Sequence, residues 1–528
     1  MLFETSYKEG FDNYVRVFDE TTKKSKSIKV PNKYEYFIPS ENGVFSYVYD
    51  KDMKMASYEG TYKDAEGNYG IFNPIDRYVR DNFWKSKKYN LNPRIFYLDI
   101  ETRSGVNSKG FPKPEYALEE VCLIQIYDNI EKKMIVLGLR DFHEQDDYKT
   151  IYEYKYLKCK NEIELLETFL TIFKKLNPLI IYAWHGDGFD YPYLYNRLKN
   201  LGMDVNRLSN YGSVKCEQKE KNGNIVFEFS SCGHCFLDLK KVYQKFSFEQ
   251  LPSYSLDNVA YRELKDRKIP HNEFLDFDSF YTGKNYEIAD EPYEDRVREE
   301  IRQCKIKCKP CDDLLQFMFV WYGMQDVYLV KRIDDKRNLT SILTSIAQEM
   351  GCTFDDAMKT VRPWSIGLQN IFYAEKIVCP KKEEHDNPNV VGGFVKEPIV
   401  GIHSWLLNFD VNSMYPMLSI KGHNMSPDTL IPTNKLPSDL REHVLKYFND
   451  QNEQKLLEYD DSIWNKTKEL LKKYDVSLGI NGSVFSHEHL GVIPKKVAEI
   501  YYGRKDDKKK MLKYESQIEL IKKVLQKR

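Results

Sequence analysis

Two short apolar runs in this chain each end in a carboxylate. The first is Ile95–Leu98, followed by Asp99-Ile100-Glu101; the second is Trp405, Leu406, Leu407 and Phe409, followed by Asp410. Runs of this length and composition read as short buried strands. An acid where such a strand ends is held on a rigid element, a common way to place a metal ligand. Alternation puts Asp99 and Glu101 on one face, about 7 Å apart along the strand. Like charges so placed repel unless a cation or water lies between them. Plain readings exist for both: D-x-E recurs by chance, and Asp410 also suits a turn or a helix N-cap. The surroundings have to decide.

Around the first run the chain is regular. Val121–Ile126 and Met134–Leu137 read as further strands. Glu162–Phe173 has helical periodicity through Ile163, Leu166, Phe169 and Phe173, and Leu179–Ala183 is another buried strand. A loop with Phe189-Asp190 leads into a helix. Last comes the helical run Phe317–Val320 and then Tyr322-x3-Asp326, where i and i+4 share a face. Three strands, a helix, a strand and a helix is the order of a ribonuclease-H-like nuclease fold. In order and spacing, Asp99, Glu101, Asp190 and Asp326 resemble the three exonuclease motifs of proofreading DNA polymerases. The resemblance implies a site for two divalent cations, Mg2+ or Mn2+, about 4 Å apart. It also implies that Tyr322 orients the attacking water or the scissile phosphate. One departure stands out. The family pattern N-x4-D has His185 in place of the Asn before Asp190, which makes that DNA contact sensitive to pH.

The second run continues as D-x-x-S-x-Y-P from Asp410 to Pro416, which resembles motif A of the family B DNA polymerases. There the Asp holds the palm metal ions and the Tyr lies under the deoxyribose of the incoming nucleotide. By resemblance these roles fall on Asp410 and Tyr415, with the amides of Val411, Asn412, Ser413 and Met414 cradling the triphosphate. Gly392-Gly393 precedes this segment and by resemblance lets template backbone approach closely. Downstream, Gly491-Val-Ile-Pro494 and Arg504-Lys-Asp-Asp-Lys508 resemble the first fingers helix of T-even-type phage DNA polymerases. Arg504 and Lys508 stand one turn apart on one face, and the family grips nucleotide phosphates there. From Arg504 to Arg528 there are ten Lys/Arg against four Asp/Glu, which taken alone is a solvated helix face.

Between the acids, Val214–Phe229 contains Asn222-Gly223 flanked by alternating residues, a strong hairpin signal. The segments Asp238–Tyr243 and Phe248–Ala260 resemble the same phage group. In those enzymes the hairpin helps part primer from template, and that role falls on the tip, Asn222 and Gly223. Asp276-Phe-Asp278-Ser279 imitates polymerase motif C but lies before motif A in a polar stretch, so it is read as non-catalytic. Cys232-Gly-His-Cys235 and Cys304-x3-Cys308-x2-Cys311 have ligand-like spacing, but free reduced thiols are the expectation. A net charge of −1 over 528 residues means that any grip on DNA comes from local patches. No apolar run reaches the ~18 residues of a membrane span, and the start has no leader-like core. The expected location is cytoplasmic, in the host for a viral protein.

The expected architecture is multidomain α/β. A small β-rich amino-terminal domain takes residues 1–94 with 332–385. The ribonuclease-H-like exonuclease takes 95–331, a partial palm 386–490, and the first fingers helix 491–528. The expected function is that of a replicative, phage-type DNA-directed DNA polymerase with 3′→5′ proofreading. Its partners are primer–template DNA, single-stranded DNA and deoxynucleoside triphosphates. Motif B, motif C with its second metal-binding Asp, and the thumb are not found. The expectation is therefore the amino-terminal part of a split or truncated enzyme, completed by a second polypeptide. Met511, Tyr514, Ile518, Ile521 and Leu525 form a 3-4-3-4 seam that calls for a facing helix. Two alternatives stay open: a stand-alone single-strand 3′→5′ exonuclease, and a non-catalytic nucleic-acid-binding module.

Overall fold

The structure is a computed structural model that describes residues 1–47, 51–59, 69–84, 91–107, 110–142, 153–221, 223–247, 249–269, 277–282, 312–378, 396–411, 413–448 and 459–526. It divides into two compact units, residues 1–32 with 74–367 and residues 33–73 with 368–528. Among the described residues no helix is long and apolar enough to cross a membrane.

The first unit is built on a six-stranded sheet. In spatial order its strands are Tyr154–Lys158, Lys133–Gly138, Val121–Asp128, Ile95–Thr102, Ile180–Ala183 and Cys235–Asp238. The three strands from 95 to 138 run antiparallel to one another, and the remaining neighbours are parallel. The strand–helix order expected from periodicity is present. Two edge strands were not legible: Tyr-Lys-Tyr-Leu-Lys alternates weakly, and Cys235–Asp238 is only four residues long.

The two faces of the central strand have different partners. Phe96, Leu98 and Ile100 lie in one core with Leu165, Leu166, Phe169, Leu170 and Phe173 of the Glu162–Leu176 helix. Ile95 and Tyr97 lie in the other, with Phe319, Val320 and Val327 of the Asp312–Arg337 helix. Asp99 and Glu101 continue this second face by alternation. The 162–176 helix starts and stops for clear reasons. The Asn161 side chain accepts from the Glu164 amide, acids fill the first turn, Lys174 and Lys175 the last, and Asn177 ends it left-handed. Its buried face includes Leu165 and Leu170, while Ile163, expected inside, is exposed. The apolar stripe is rotated by part of a turn from the 3-4 register.

Residues 2–30 form a three-stranded antiparallel meander. Arg16 ties it to the central sheet. Its Nε donates to Glu4 at 2.8 Å, and its terminal nitrogens donate to the carbonyls of Pro178, Gly233 and Asn177 at 3.0, 2.7 and 2.9 Å. A buried ion pair holds only when its donors are used up in this way.

In the second unit, strands 33–39, 45–47, 51–59, 69–72 and 377–378 form one sheet over a core of Phe37, Phe45, Met53 and Phe72. A separate small core of Leu440, Val444, Phe448, Leu470 and Val484 sits beside a three-stranded sheet. The Val492–Gln526 helix starts from three side-chain caps. Asp428 accepts from the Val492 amide at 3.2 Å, Ser426 from Ile493 at 3.2 Å, and Asn424 from Gly491 at 2.9 Å. From Tyr502 to Leu525 every residue of this helix is exposed.

One expectation fails here. Residues 396–411, which include Trp405–Phe409, form no strand, and Trp405 and Phe409 are 97% and 88% exposed. A strand exists by pairing, and no described strand pairs with this segment.

Candidate functional site

The central strand brings two acids to the end of the sheet. Asp99 lies opposite Gln125 and Glu101 opposite Leu123 on the neighbouring strand, and the register slips by a bulge just after Glu101. The Asp312–Arg337 helix lies over this face and adds Asp326. Ligand oxygens of Asp99, Glu101 and Asp326 lie within 4.8 Å of one another, the one such group of three among the described residues. Glu101 and Asp326 are buried and Asp99 half-buried.

Asp190 reaches the same place from another direction. It is the first residue of the Asp190–Asn200 helix, buried, with its carboxylate hydrogen-bonded to the Ile100 amide beside Asp99 and Glu101. The four predicted acids therefore meet, from one strand and two helices. Tyr322, one turn before Asp326, donates its hydroxyl to the Asp326 carboxylate.

Electrostatics define what this cluster is. Burial, then Glu101, Asp190 and Asp326, push Asp99 well above the carboxylate range. Burial, then Asp326, push Glu101 up to about 8, and burial raises Asp190 to about 7. Burial also raises Asp326, against the pull of Lys268. Such a site holds protons at neutral pH unless a cation replaces them. One oxygen of Asp326, Oδ1, is buried with no hydrogen-bond partner among the described residues. An orphaned buried carboxylate oxygen facing two more acids fits a divalent cation with oxygen ligands.

Lys268 was not anticipated. Its Nζ lies 2.7 Å from Asp326 Oδ2 and 4.9 Å from the centre of the Tyr322 ring. Burial works against its charge, but Asp326, Asp99 and Glu101 outweigh that and raise its pKa. The Lys268 amide donates to Asp257 at 3.1 Å, and Gln325 donates to the Arg267 carbonyl at 3.0 Å, which places the side chain. A lysine in the polar stretch 265–268 carries no periodic or motif signal, so only the fold reveals it.

His185 sits at the edge of the same region. Its backbone is left-handed, φ +72°, and its amide donates to Asp238 Oδ1 at 3.0 Å. The imidazole packs over Gly188, where an added Cβ would lie 2.4 Å from Nε2, so a larger residue there would push the ring aside. Burial, then Lys240 and Lys241, lower its pKa, and the ring is neutral at pH 7. Gly223 is in the turn of the hairpin formed by Val214–Lys221 and Asn224–Ser231, with φ +75°. Asn222, Gly392, Gly393 and Asn412 lie outside the described residues, as do Cys304, Cys308 and Cys311.

The cysteines of the 232–235 group are engaged elsewhere. Cys232 donates to Glu9 at 3.1 Å, and Cys235 lies 3.6 Å from the Thr5 hydroxyl. His234 has Nδ1 2.6 Å from the Pro178 carbonyl, and its Nε2 accepts from the Asn210 amide at 3.1 Å. Asp278, the imitation of motif C, forms a two-pronged pair with Arg103 at 2.8 and 3.0 Å, from the short Phe277–Thr282 helix.

The motif A residues are placed differently. Asp410 is exposed on an unpaired segment and Tyr415 is 81% exposed. Ser413 has φ +56° and starts the short Met414–Met417 helix. Its side chain is hydrogen-bonded to Tyr501 on the long helix, one turn before Arg504 and Lys505. Arg504 and Lys508 are exposed on that helix. No second acid stands with Asp410 in a group of three among the described residues.

Comparison with known proteins agrees with both regions. The family described as "DNA polymerase family B, exonuclease domain" matches residues 45–259, and "DNA polymerase family B" matches residues 364–528. The chain is similar to the DNA-directed DNA polymerase of Enterobacteria phage T4, 26% identical over 473 residues, and to that of Escherichia phage RB69, 25% identical over 475. Each alignment covers 85% of this chain and 46% of the relative. The DNA polymerase of Archaeoglobus fulgidus is 24% identical over 399 residues, 73% of this chain and 40% of that protein. The chain thus spans about half the length of the curated relatives it matches.

Proposed function

Because the chain belongs to DNA polymerase family B, we propose that its first unit hydrolyses single-stranded DNA from the 3′ end and that its second unit holds the first part of a nucleotidyl-transfer site. The sheet order, with acids at the end of its central strand, supports reading the first unit as a ribonuclease-H-like nuclease. The observation that carries the proposal is the meeting of Asp99, Glu101 and Asp326, with Asp190 beside them, around an unpartnered Asp326 oxygen.

Asp99, Glu101, Asp190 and Asp326 would hold two Mg2+ or Mn2+ ions. When bound, such ions activate a water and stabilise a departing 3′-oxygen. The chain's own groups do the rest. Tyr322 keeps its proton, because burial and then Asp326, Glu101 and Asp99 raise its pKa. Its one proton, donated to Asp326 in this structure, would turn to the water or the scissile phosphate when substrate enters. Lys268 supplies a positive charge beside Asp326 for the extra negative charge of the transition state. Neutral His185 donates one hydrogen bond to the DNA strand, and the hairpin tip at Asn222 and Gly223 parts that strand from its template.

In the second unit Asp410 would be one metal-binding acid of the polymerase site, and Tyr415 the residue under the sugar. Amides of residues 411–414, with Arg504 and Lys508, would bind the triphosphate, the arginine as a fork and the lysine as a point charge. Gly392 and Gly393 would face template backbone. One acid does not organise two cations for in-line transfer. The second acid, the helix facing the Met511–Leu525 seam and the thumb would come from sequence outside these 528 residues, on a second polypeptide or on a longer form of this one. Replacing Asp99 and Glu101 by alanine tests the first half. Loss of Mg2+-dependent shortening of a 5′-labelled oligonucleotide is expected. Unchanged shortening would overturn the assignment to these acids, and no shortening by the wild-type chain either would leave a nucleic-acid-binding module as the better reading.

A further inference from the structure

A second buried carboxylate lies on the helix that carries Tyr322 and Asp326. Asp334 is eight residues beyond Asp326, about 12 Å along the axis, and 4% exposed. Its hydrogen-bond partners, Tyr97 and Thr340, are not members of the acid cluster, and each donates to it. Tyr97 donates to its Oδ2 at 2.6 Å. The hydroxyl of Thr340 donates to the same oxygen at 2.6 Å, and the Thr340 amide to Oδ1 at 2.9 Å. The Tyr182 hydroxyl lies 3.2 Å from that of Thr340.

Tyr97 and Tyr182 come from paired strands and face each other across them, with ring centres 5.7 Å apart. Tyr97 stands two residues before Asp99, on the same face of the same strand. The Tyr97–Asp334 bond therefore links the element that presents Asp99 and Glu101 to the element that presents Tyr322 and Asp326. Near its middle the helix approaches the sheet closely: a Cβ on Gly323 would lie 1.8 Å from the Gln125 side-chain nitrogen, and Gln125 stands opposite Asp99. On the helix, Asp326 lies between these two points. A buried carboxylate with three short hydrogen bonds is strong and directional, where apolar packing alone would let a helix slide.

We infer that Tyr97, Asp334 and Thr340 form a positioning clamp that sets the register of the Asp312–Arg337 helix against the central strand, and thereby the spacing of the cation-binding acids. The inference rests on the exonuclease reading of that cluster. Loosening the clamp loosens the cation site without touching a ligand. The expected loss is about threefold to tenfold in Mn2+ affinity, at or below the ten- to hundredfold seen for groups bonded directly to a metal ligand.

The test is Mn2+ binding to the full chain without DNA, followed by electron paramagnetic resonance. Six proteins are compared: wild type, Tyr97→Phe, Thr340→Val, Thr340→Ser, Asp326→Ala, and Leu170→Ala as a control that destabilises the opposite core. Thr340→Ser keeps the hydroxyl and is expected to bind as wild type. Weaker binding by Tyr97→Phe and Thr340→Val, with Leu170→Ala unchanged at a matched loss of melting temperature, supports the clamp. Wild-type affinity in both clamp variants, or equal weakening by Leu170→Ala, overturns it. Failure of wild type to bind Mn2+ at all, together with no difference from Asp326→Ala, would instead overturn the cation site itself.

Discussion

Two carboxylate-bearing segments of this molecule were read from sequence in the same way, as an apolar run ending in acid, and they fold differently. Ile95–Leu98 is the centre of a six-stranded sheet, with neighbours on both sides and helices on both faces. Its acids meet partners from two helices. Trp405–Phe409 is as apolar but has no strand beside it, and Asp410 points into solvent. An apolar run specifies that it should be buried. It does not specify by what, and a strand end becomes a binding site only where other elements converge on it.

The sharpest way to break this contrast is to exchange the roles of the acids. Asp99→Ala with Glu101→Ala is expected to lower oligonucleotide shortening at least a hundredfold to a thousandfold, on the order of the loss seen when a preorganised electrostatic group is removed. Asp410→Ala is expected to leave that rate within twofold. A large effect of Asp410→Ala in a gel-based rate assay would mean that the two regions are not independent.

Stability should divide along the same line. Phe173→Ala empties a buried site and is expected to cost ~3–5 kcal/mol in denaturant unfolding. Phe409→Ser, at an exposed position, should stay within about 0.5 kcal/mol and reduce light scattering on concentration. Equal costs would show that Phe409 is buried in solution.

The metal-free acid cluster should give the first unit a pH signature that the second lacks. Glu101 has a folded pKa of about 8, raised by burial and Asp326, against an ordinary value near 4.3 unfolded. The folded state then keeps a proton that the unfolded state has lost. Its contribution to stability is full below pH ~4 and is lost as pH rises toward 8. Glu101→Gln should flatten that part of the melting-temperature profile, and Mg2+ should stabilise more at pH 8.5 than at pH 6. A profile with no difference between wild type and Glu101→Gln would contradict the raised pKa. Lys268→Met should lower the metal-free melting temperature at pH 8 by a few degrees, where ~1 kcal/mol shifts a domain of this size by about 2–4 °C. Mg2+ should restore it.

The smallest expected effect is at the start of the long helix. Asp428→Ala removes its acceptor for the Val492 amide and should cost ~1 kcal/mol in the second unit, read by circular dichroism on heating. No change would mean that Ser426 and Asn424 suffice.

Much of the first unit was legible because its residues obey short-range rules. Strand alternation, the i, i+4 pair of Tyr322 and Asp326, and the turn at Asn222-Gly223 are local patterns. The convergence of Asp190 with the others came from motif order, since no local rule joins residues 99, 190 and 326. Lys268 was invisible because its place is set by Asp257, Gln325 and Asp326, all held by tertiary contacts. Asp278, whose D-x-D-S pattern imitates motif C, is held in an ion pair with Arg103, a partner that the local pattern does not announce. The Trp405–Phe409 strand was misread because pairing depends on a neighbour that the run itself does not encode.

We propose that hydrolysis is complete within these residues and that synthesis is not. The direct measurement gives the full chain a 5′-labelled primer–template, Mg2+ and all four deoxynucleoside triphosphates, and reads primer length over time. Shortening without extension is the predicted result. Extension beyond the starting length would contradict the claim, because it requires a second palm acid within these 528 residues.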